Sequence, residues 1–298
     1  MKTLSAVLVF FFICFFGSAL QTNAQSQQDS IVSRIETLDG NEYIGRVQEK
    51  SATVLRLKTD KLGVISIPVA DIKRISEINQ IRAKDGTYWL DNPQATRYLW
   101  APNGYSLKKG EGYYQNIWIL FNQAVYGLTD HFSAGLGVMP LVLFGGASTP
   151  VWITLKYSVP VVKDKINLGA GALLGTVIGE SGSAGILYGI STFGTKDKNL
   201  SFGLGWGFAN GEMARNPTVN ISAMIRTGAK GYFLTENYFI GTTDNFVVLM
   251  SLGGRRIIKN VGLDFGAMLP LAADLDEFVA IPWLGLSIPF GTKISGIK

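Results

Sequence analysis

The sequence predicts an all-β protein, an antiparallel transmembrane β-barrel of about twelve strands preceded by a small β domain. Three observations carry this. Apolar and small or polar residues alternate with a period of two through most of the chain after Tyr113, and period two means strand, because successive side chains point to opposite faces. Turn clusters interrupt the alternation at spacings that suit membrane-crossing strands. The composition is 47% hydrophobic against 16% charged, with 35 glycines, and the charges gather before about residue 112 and in short clusters after it, the pattern of a chain in two environments.

The first element is a leader. Met1-Lys2, an apolar run from Leu4 to Phe16 and a small, polar stretch ending Thr22-Asn23-Ala24 form a secretory signal peptide over residues 1–24, cut after Ala24. Its loss removes Lys2 and takes the formal charge from +5 to +4, too mild a balance to indicate nucleic acid. The single cysteine, Cys14, leaves with the leader, and the Phe11-Phe12-Ile13 before it does not suit a lipoprotein signal. Disulfides, thiol catalysis and cysteine–metal sites are thereby excluded from the mature chain. With His131 the lone histidine, no metal centre or cofactor is expected.

Residues 27–80 read as a β-meander with strands at Ile31–Thr37, Glu42–Lys50, Ala52–Thr59, Val64–Pro68 and Ile72–Ile78. Asp39-Gly40 is a tight-turn signal. The glycine in the first turn, Gly45 inside the next strand and the closing Ile72-Lys73-Arg74-Ile75 resemble Sm-like small barrels over about fifty residues. Sm-like proteins often bind RNA, but export makes RNA an unexpected ligand here. A periplasmic protein or cell-wall component is the partner expected for residues 27–80.

Residues 81–94 form a linker, and the barrel is placed at 95–291. Its alternating segments are 113–128, 132–144, 150–162, 165–178, 183–195, 199–210, 217–227, 231–241, 246–258, 261–272 and 277–290. In Leu200–Ala209 the faces separate into Leu200, Phe202, Leu204, Trp206 and Phe208 against Ser201, Gly203, Gly205, Gly207 and Ala209. Short turns face the periplasm and longer loops face outside, so the strand ending at Thr129 descends and needs an ascending strand before it. Thr96–Leu107 is the candidate, which makes the count even and puts the N-terminal domain in the periplasm.

Residues 132–155 are uncharged and long enough for a membrane helix, but Pro140, Gly145, Gly146 and Pro150 break them. A soluble barrel holding an apolar ligand is the second alternative. It would put Lys and Glu, not Gly, Ser and Ala, opposite the aromatics of Leu200–Ala209. A lipid hydrolase is the third, since His131 and Ser133 share a strand face, although Thr129-Asp130-His131-Phe132 reads as a turn. The Gly169–Gly175 run lacks dinucleotide spacing and reads as a strand face.

Three runs resemble a group of Bacteroidetes outer-membrane barrel proteins: Arg97–Pro102, Leu107–Asn116 and Tyr126–Ser133. The resemblance covers the barrel and implies fold and location, not an activity. Charges inside a membrane barrel must point away from lipid. Lys156, Arg226, Asp264 and Asn122 fall on the less apolar faces of their strands and Glu236 lies within one, so all five are expected to line the lumen. There they would either set a polar channel or pair and plug the interior. The expected function is a non-enzymatic outer-membrane protein, in contact with lipid, acting as a narrow pore or as a scaffold for its periplasmic domain.

Overall fold

The computed structural model describes residues 32–60, 62–78, 80–82, 88–90, 92–140, 148–241, 246–258, 260–272 and 279–291. The leader, the start of the first domain and parts of the linker and long loops lie outside the described residues.

The N-terminal unit is a five-stranded sheet of β1 (Val32–Thr37), β2 (Glu42–Lys50), β3 (Val54–Thr59), β4 (Val64–Pro68) and β5 (Ile72–Ile78) in the order β4-β3-β2-β1-β5. The strands form where the alternation placed them. Ile35, Leu55, Leu57 and Ile67 are buried on one face, as half-buried antiparallel strands require. At the β1–β2 turn Gly40 adopts φ +84°, a left-handed conformation that favours glycine. Asp39 closes the same turn by accepting hydrogen bonds from the Thr37 hydroxyl and the Asn41 side chain. Gly45 is held by packing, because a Cβ there would lie 2.3 Å from the Lys58 carbonyl oxygen.

After a short hairpin of β6 (Gln80–Arg82) and β7 (Tyr88–Leu90), the second sheet closes on itself. Its first half is β8 (Gly112–Ile117), β9 (Phe121–Gly127), β10 (Phe132–Val138), β11 (Pro150–Val162), β12 (Ile166–Val177) and β13 (Ser183–Gly194). The second half is β14 (Lys198–Ala209), β16 (Thr218–Arg226), β17 (Gly231–Gly241), β18 (Phe246–Ile258), β19 (Val261–Ala272) and β20 (Ile281–Phe290), with β15 (Glu212–Met213) a short extension in a loop. Every neighbour pairs antiparallel, and β8 pairs with β20 to close a twelve-strand barrel.

The count of twelve is reached differently from the sequence expectation. Segment 113–128 is two strands, not one, folded at Trp118 and Ile119, both with positive φ (52° and 67°). Neither Gly nor Pro marks this turn. Asn116 and Asn122 build it instead: the Ile119 N–H donates to Asn116 Oδ1, and Asn122 Nδ2 donates to the Ile119 and Leu120 carbonyls. Thr96–Leu107 is therefore not the twelfth strand, and the wall runs from Gly112 to Phe290. Both ends of the wall lie at the rim that carries the turns at 128–131, 163–165, 195–197 and 227–230 and the β18–β19 connection. At the other rim the fully described connections at 178–182 and 210–217 are longer, while the 118–120 turn is short.

The barrel is apolar outside, and its inside gathers the charged and many of the polar side chains beside an apolar cluster that includes Met224, Leu234 and Trp283. Leu136 is 69% exposed, Leu284 61% and Phe265 53%, whereas Ser158, Glu236 and Asp264 are 0%. On β14, Leu204 and Trp206 face outward while Asn199 and Ser201 are buried, the division that the alternation of Leu200–Ala209 predicts. Glycines make room within. Trp152 lies across Gly137, where a Cβ would come 1.9 Å from the indole.

Candidate functional site

Residues 92–107 fill the lumen. They enter beside the 195–197 turn, where Asn92 Nδ2 donates to the Lys196 carbonyl (3.1 Å), rise to a tip at Leu99–Pro102, and return to the same rim. There the Lys109 N–H donates to Asp130 Oδ1 (3.0 Å). The loop holds itself with Tyr98 N–H to Ala101 O (2.9 Å) and Asn103 N–H to Thr96 O (3.1 Å). Its backbone groups and side chains bond to β8, β11, β13, β14, β16, β17, β18, β19 and β20. A segment reached from strands all round a closed sheet lies inside it.

Three ionic anchors seat this plug. The first is Asp264 on β19, shared by two arginines: Arg97 Nη1 at 3.0 Å, and Arg255 through Nε at 2.5 Å and Nη2 at 2.9 Å. Both guanidiniums also donate to plug carbonyls, Arg97 Nη1 to Tyr98 and Leu99 (2.8 Å each), Arg255 Nη2 to Tyr98 (2.6 Å) and Nη1 to Gln94 (3.0 Å). Arg97 Nη2 donates in addition to the Ser287 hydroxyl of β20. The second anchor is Glu236 on β17, whose Oε2 accepts the N–H groups of Trp100 and Ala101, both at 2.9 Å, while Oε1 accepts the Tyr238 hydroxyl (2.8 Å). The third is Lys156 on β11, whose Nζ donates to the carbonyls of Tyr105 (2.7 Å), Asn103 (3.2 Å) and Thr96 (3.3 Å). Taking backbone groups from water costs free energy unless they are paired. These side chains supply partners that a non-strand segment cannot find in a ladder.

Neutral contacts complete the seat. The buried Tyr98 hydroxyl meets Asn199 Oδ1 and Ser201 Oγ, each at 2.6 Å, and Gln115 Nε2 donates to the Leu99 carbonyl (2.8 Å). Trp100 packs at the tip against Phe121 (5.6 Å between centroids, edge-on) and Trp152 (6.1 Å). Beyond Trp100 and Pro102, a cavity of about 200 Å³ remains between the plug and the wall, bounded by β8 to β17.

Of the five residues expected in the lumen, Lys156, Glu236 and Asp264 meet on the plug. Arg226 sits apart at the short-turn rim. It pairs with Asp197 (2.9 Å), lies 5.0 Å from the Trp89 ring centre and 5.3 Å from that of Tyr232, and so clasps the β7 hairpin. Asn122 does not line the lumen. It pairs across from Asn116, on the face opposite Gln115 and Gln123, because its amide is committed to the 118–120 turn. His131 Nδ1 lies 3.0 Å from the Ser158 carbonyl oxygen, and among the described residues no hydrogen bond joins it to Ser133. Sequence pattern does not single out Arg97 or Arg255. Arg255 was open to discovery, since a hairpin centred on Lys259-Asn260 sets it directly across from Asp264.

The fold and its filled interior define a class, the closed antiparallel barrel with an internal loop. No protein-family profile and no curated protein matches the chain. Among solved structures, a crystal structure of a doubly substituted OccD1 (OprD) aligns at 9% identity over 86% of this chain and 80% of its own, with a TM-score of 0.37. The improved crystal structure of Pseudomonas aeruginosa OprD gives 9%, 88%, 94% and 0.37, and the outer-membrane expressed OmpT of Vibrio cholerae 8%, 88%, 95% and 0.34. At these levels of likeness none of them carries an argument about this chain, whose function has to be read from its own residues.

Proposed function

We propose that the chain is an outer-membrane barrel that anchors its N-terminal sheet, with a lumen closed by its own plug and not an open pore. The observation that carries this is the seating of residues 92–107, bonded to nine of the twelve strands and anchored by buried Asp264 and Glu236 and half-buried Lys156. A conducting lumen needs a continuous polar path, and here residues 92–107 occupy the interior and engage its charged side chains Lys156, Glu236, Arg255 and Asp264.

The membrane location is supported by the apolar exterior and by the charged side chains Arg255, Asp264 and Glu236 turned inward. A water-soluble barrel holding an apolar ligand would have these faces exchanged. Short turns at one rim, with both ends of the wall there, support a periplasmic position for residues 32–78. The contact of Arg34 Nη1 with Asn260 Oδ1, just before β19 (3.2 Å), supports the same side. The five-stranded sheet, in which β5 returns beside β1, supports the Sm-like reading of that domain, which would present it to a periplasmic protein or cell-wall component.

Two measurements test this. Membrane fractionation with heat-modifiable gel mobility should place the folded chain in the detergent-extracted outer membrane. A folded monomer in plain buffer would end the proposal. In planar bilayers the intact chain should show no steady conductance, and a constant open current would return the assignment to a pore.

A further inference from the structure

We propose that the β8–β9 hairpin ends inside the hydrocarbon layer, leaving a notch in the outer half of the wall that lipid acyl chains fill. Strand length is the first observation. A membrane-crossing strand needs about 9–11 residues at its usual tilt, and β11 to β14 have 12 or 13. β8 has six, β9 seven and β10 seven. At about 3.3 Å per residue and a tilt near 40°, such strands rise only about 15–18 Å. That is little more than half of a hydrocarbon layer about 30 Å thick. The hairpin rises from the short-turn rim, so its tip at 118–120 stops below the outer headgroups. Beside it β20 carries on past its last pair with β8, Gly285 opposite Ile117, for four more residues to Ile281.

The chemistry of the tip is the second observation. Trp118-Ile119-Leu120 has no charged or hydroxyl side chain, and Ile119 is 71% exposed. A turn in water favours Gly, Asn, Asp or Ser. In hydrocarbon the side chains must be apolar and the main-chain groups must find partners within the protein. The Ile119 N–H donates to Asn116 Oδ1 and the Trp118 N–H to the Leu284 carbonyl (3.1 Å). Asn122 Nδ2 donates to the Ile119 and Leu120 carbonyls, and Asn122 Oδ1 accepts from the Tyr114 hydroxyl and from Asn116 Nδ2. An amide offers two donors and two acceptor sites. Asn122, on the outward face, therefore has nothing left for water.

Aromatic rings back the tip. Trp118 packs against Trp283 (5.0 Å between centroids) and Phe121 (6.0 Å), and Phe121 against Trp100 (5.6 Å) and Trp152 (6.2 Å). With Ile119 in front, this shelf offers an occupant ring and aliphatic surface, which suits an acyl chain and not a hydrated group. The inference rests on the outer-membrane reading, and its test separates the two.

Cys14 is the chain's one cysteine, so in a Cys14→Ser background a single introduced cysteine carries a nitroxide label at one place. Ile119→Cys is compared in lipid vesicles with Leu252→Cys, in the middle of β18, and with Glu212→Cys, in a long loop. Power-saturation EPR reads the access of oxygen and of a polar nickel chelate to each label. Hydrocarbon excludes the chelate by more than about tenfold. The label at 119 should match that at 252, open to oxygen and closed to nickel, and differ from that at 212 by this factor. If Ile119→Cys lacks the heat-modifiable folded form, Leu120→Cys takes its place with the same expected result. Nickel access at 119 but not at 252 overturns the notch and leaves the membrane barrel standing. Nickel access at both overturns the membrane reading and the notch with it. A label at 119 closed to both probes means that protein covers the tip, a loop of this chain or a second copy, and this too overturns the proposal.

Discussion

Replacing Asp264 with asparagine tests the plug at its most heavily used bond. The substitution keeps shape and one carbonyl acceptor but removes the negative charge that two guanidiniums share. Side-chain exposure is 1% for Arg97 and Asp264 and 0% for Arg255, so solvent screening gives no relief. Breaking a buried ion pair by removing one partner costs about 3–5 kcal/mol, chiefly because the remaining charge is left uncompensated. With two arginines orphaned and the Asn carbonyl still accepting, the upper part of that range, about 4–5 kcal/mol, is expected. The assay is urea unfolding of the barrel in lipid vesicles, read by heat-modifiable mobility and extrapolated linearly to zero denaturant. In Asp264→Asn/Arg97→Met one orphan is gone, so part of the loss should return, a non-additivity that marks direct coupling. If Asp264→Asn lies within about 1 kcal/mol of the parent, the reasoning that the plug is seated by this carboxylate is refuted.

Glu236→Gln weakens the acceptor of two plug amides and should cost about 1.5–3 kcal/mol in the same unfolding assay, while Arg226→Gln, at the rim, should leave the lumen closed in planar bilayers. Leu252→Lys, at a position 59% exposed in the middle of β18, should cost about 2–4 kcal/mol if that face meets hydrocarbon. A change near zero, measured in vesicles, would mean that it meets water. Gly137→Val should fail to give the heat-modifiable folded form, because Trp152 already occupies the space of its Cβ.

The wall was legible in the sequence wherever two conditions coincided: a strict two-residue alternation and a turn marked by Gly, Asp, Asn or Lys. Leu200–Ala209 met both, as did Val151–Val159, where Ile153 and Tyr157 alternate with Trp152 and Ser158, and their faces lie as the pattern implies. Segment 113–128 met only the first, since Trp118-Ile119-Leu120 carries no turn residue and side chains two and four positions away do the turning. The plug was harder to read. Thr96–Trp100 is as aromatic as a strand, and sequence pattern does not separate a segment that pairs with a wall from one that the wall encloses. What distinguishes it is the destination of its carbonyls, which end on Arg255, Lys156 and Gln115 from distant parts of the chain. Lys156, Glu236 and Asp264 could be found because a charge between lipid-facing neighbours has nowhere to point but inward. Asn122 misled because an uncharged amide can serve a turn as well as an interior.

The plug also bears on how the cylinder stays shut. Its first and last staves, β8 and β20, meet over the short span Gly112–Ile117 against Gly285–Phe290, where Gln115 stands opposite Ser287. Gln115 holds the Leu99 carbonyl, and Ser287 takes the Arg97 guanidinium. One loop thus stitches the chain's own seam from within, so withdrawing residues 97–99 would release Gln115 and Ser287, on the two sides of that seam, together.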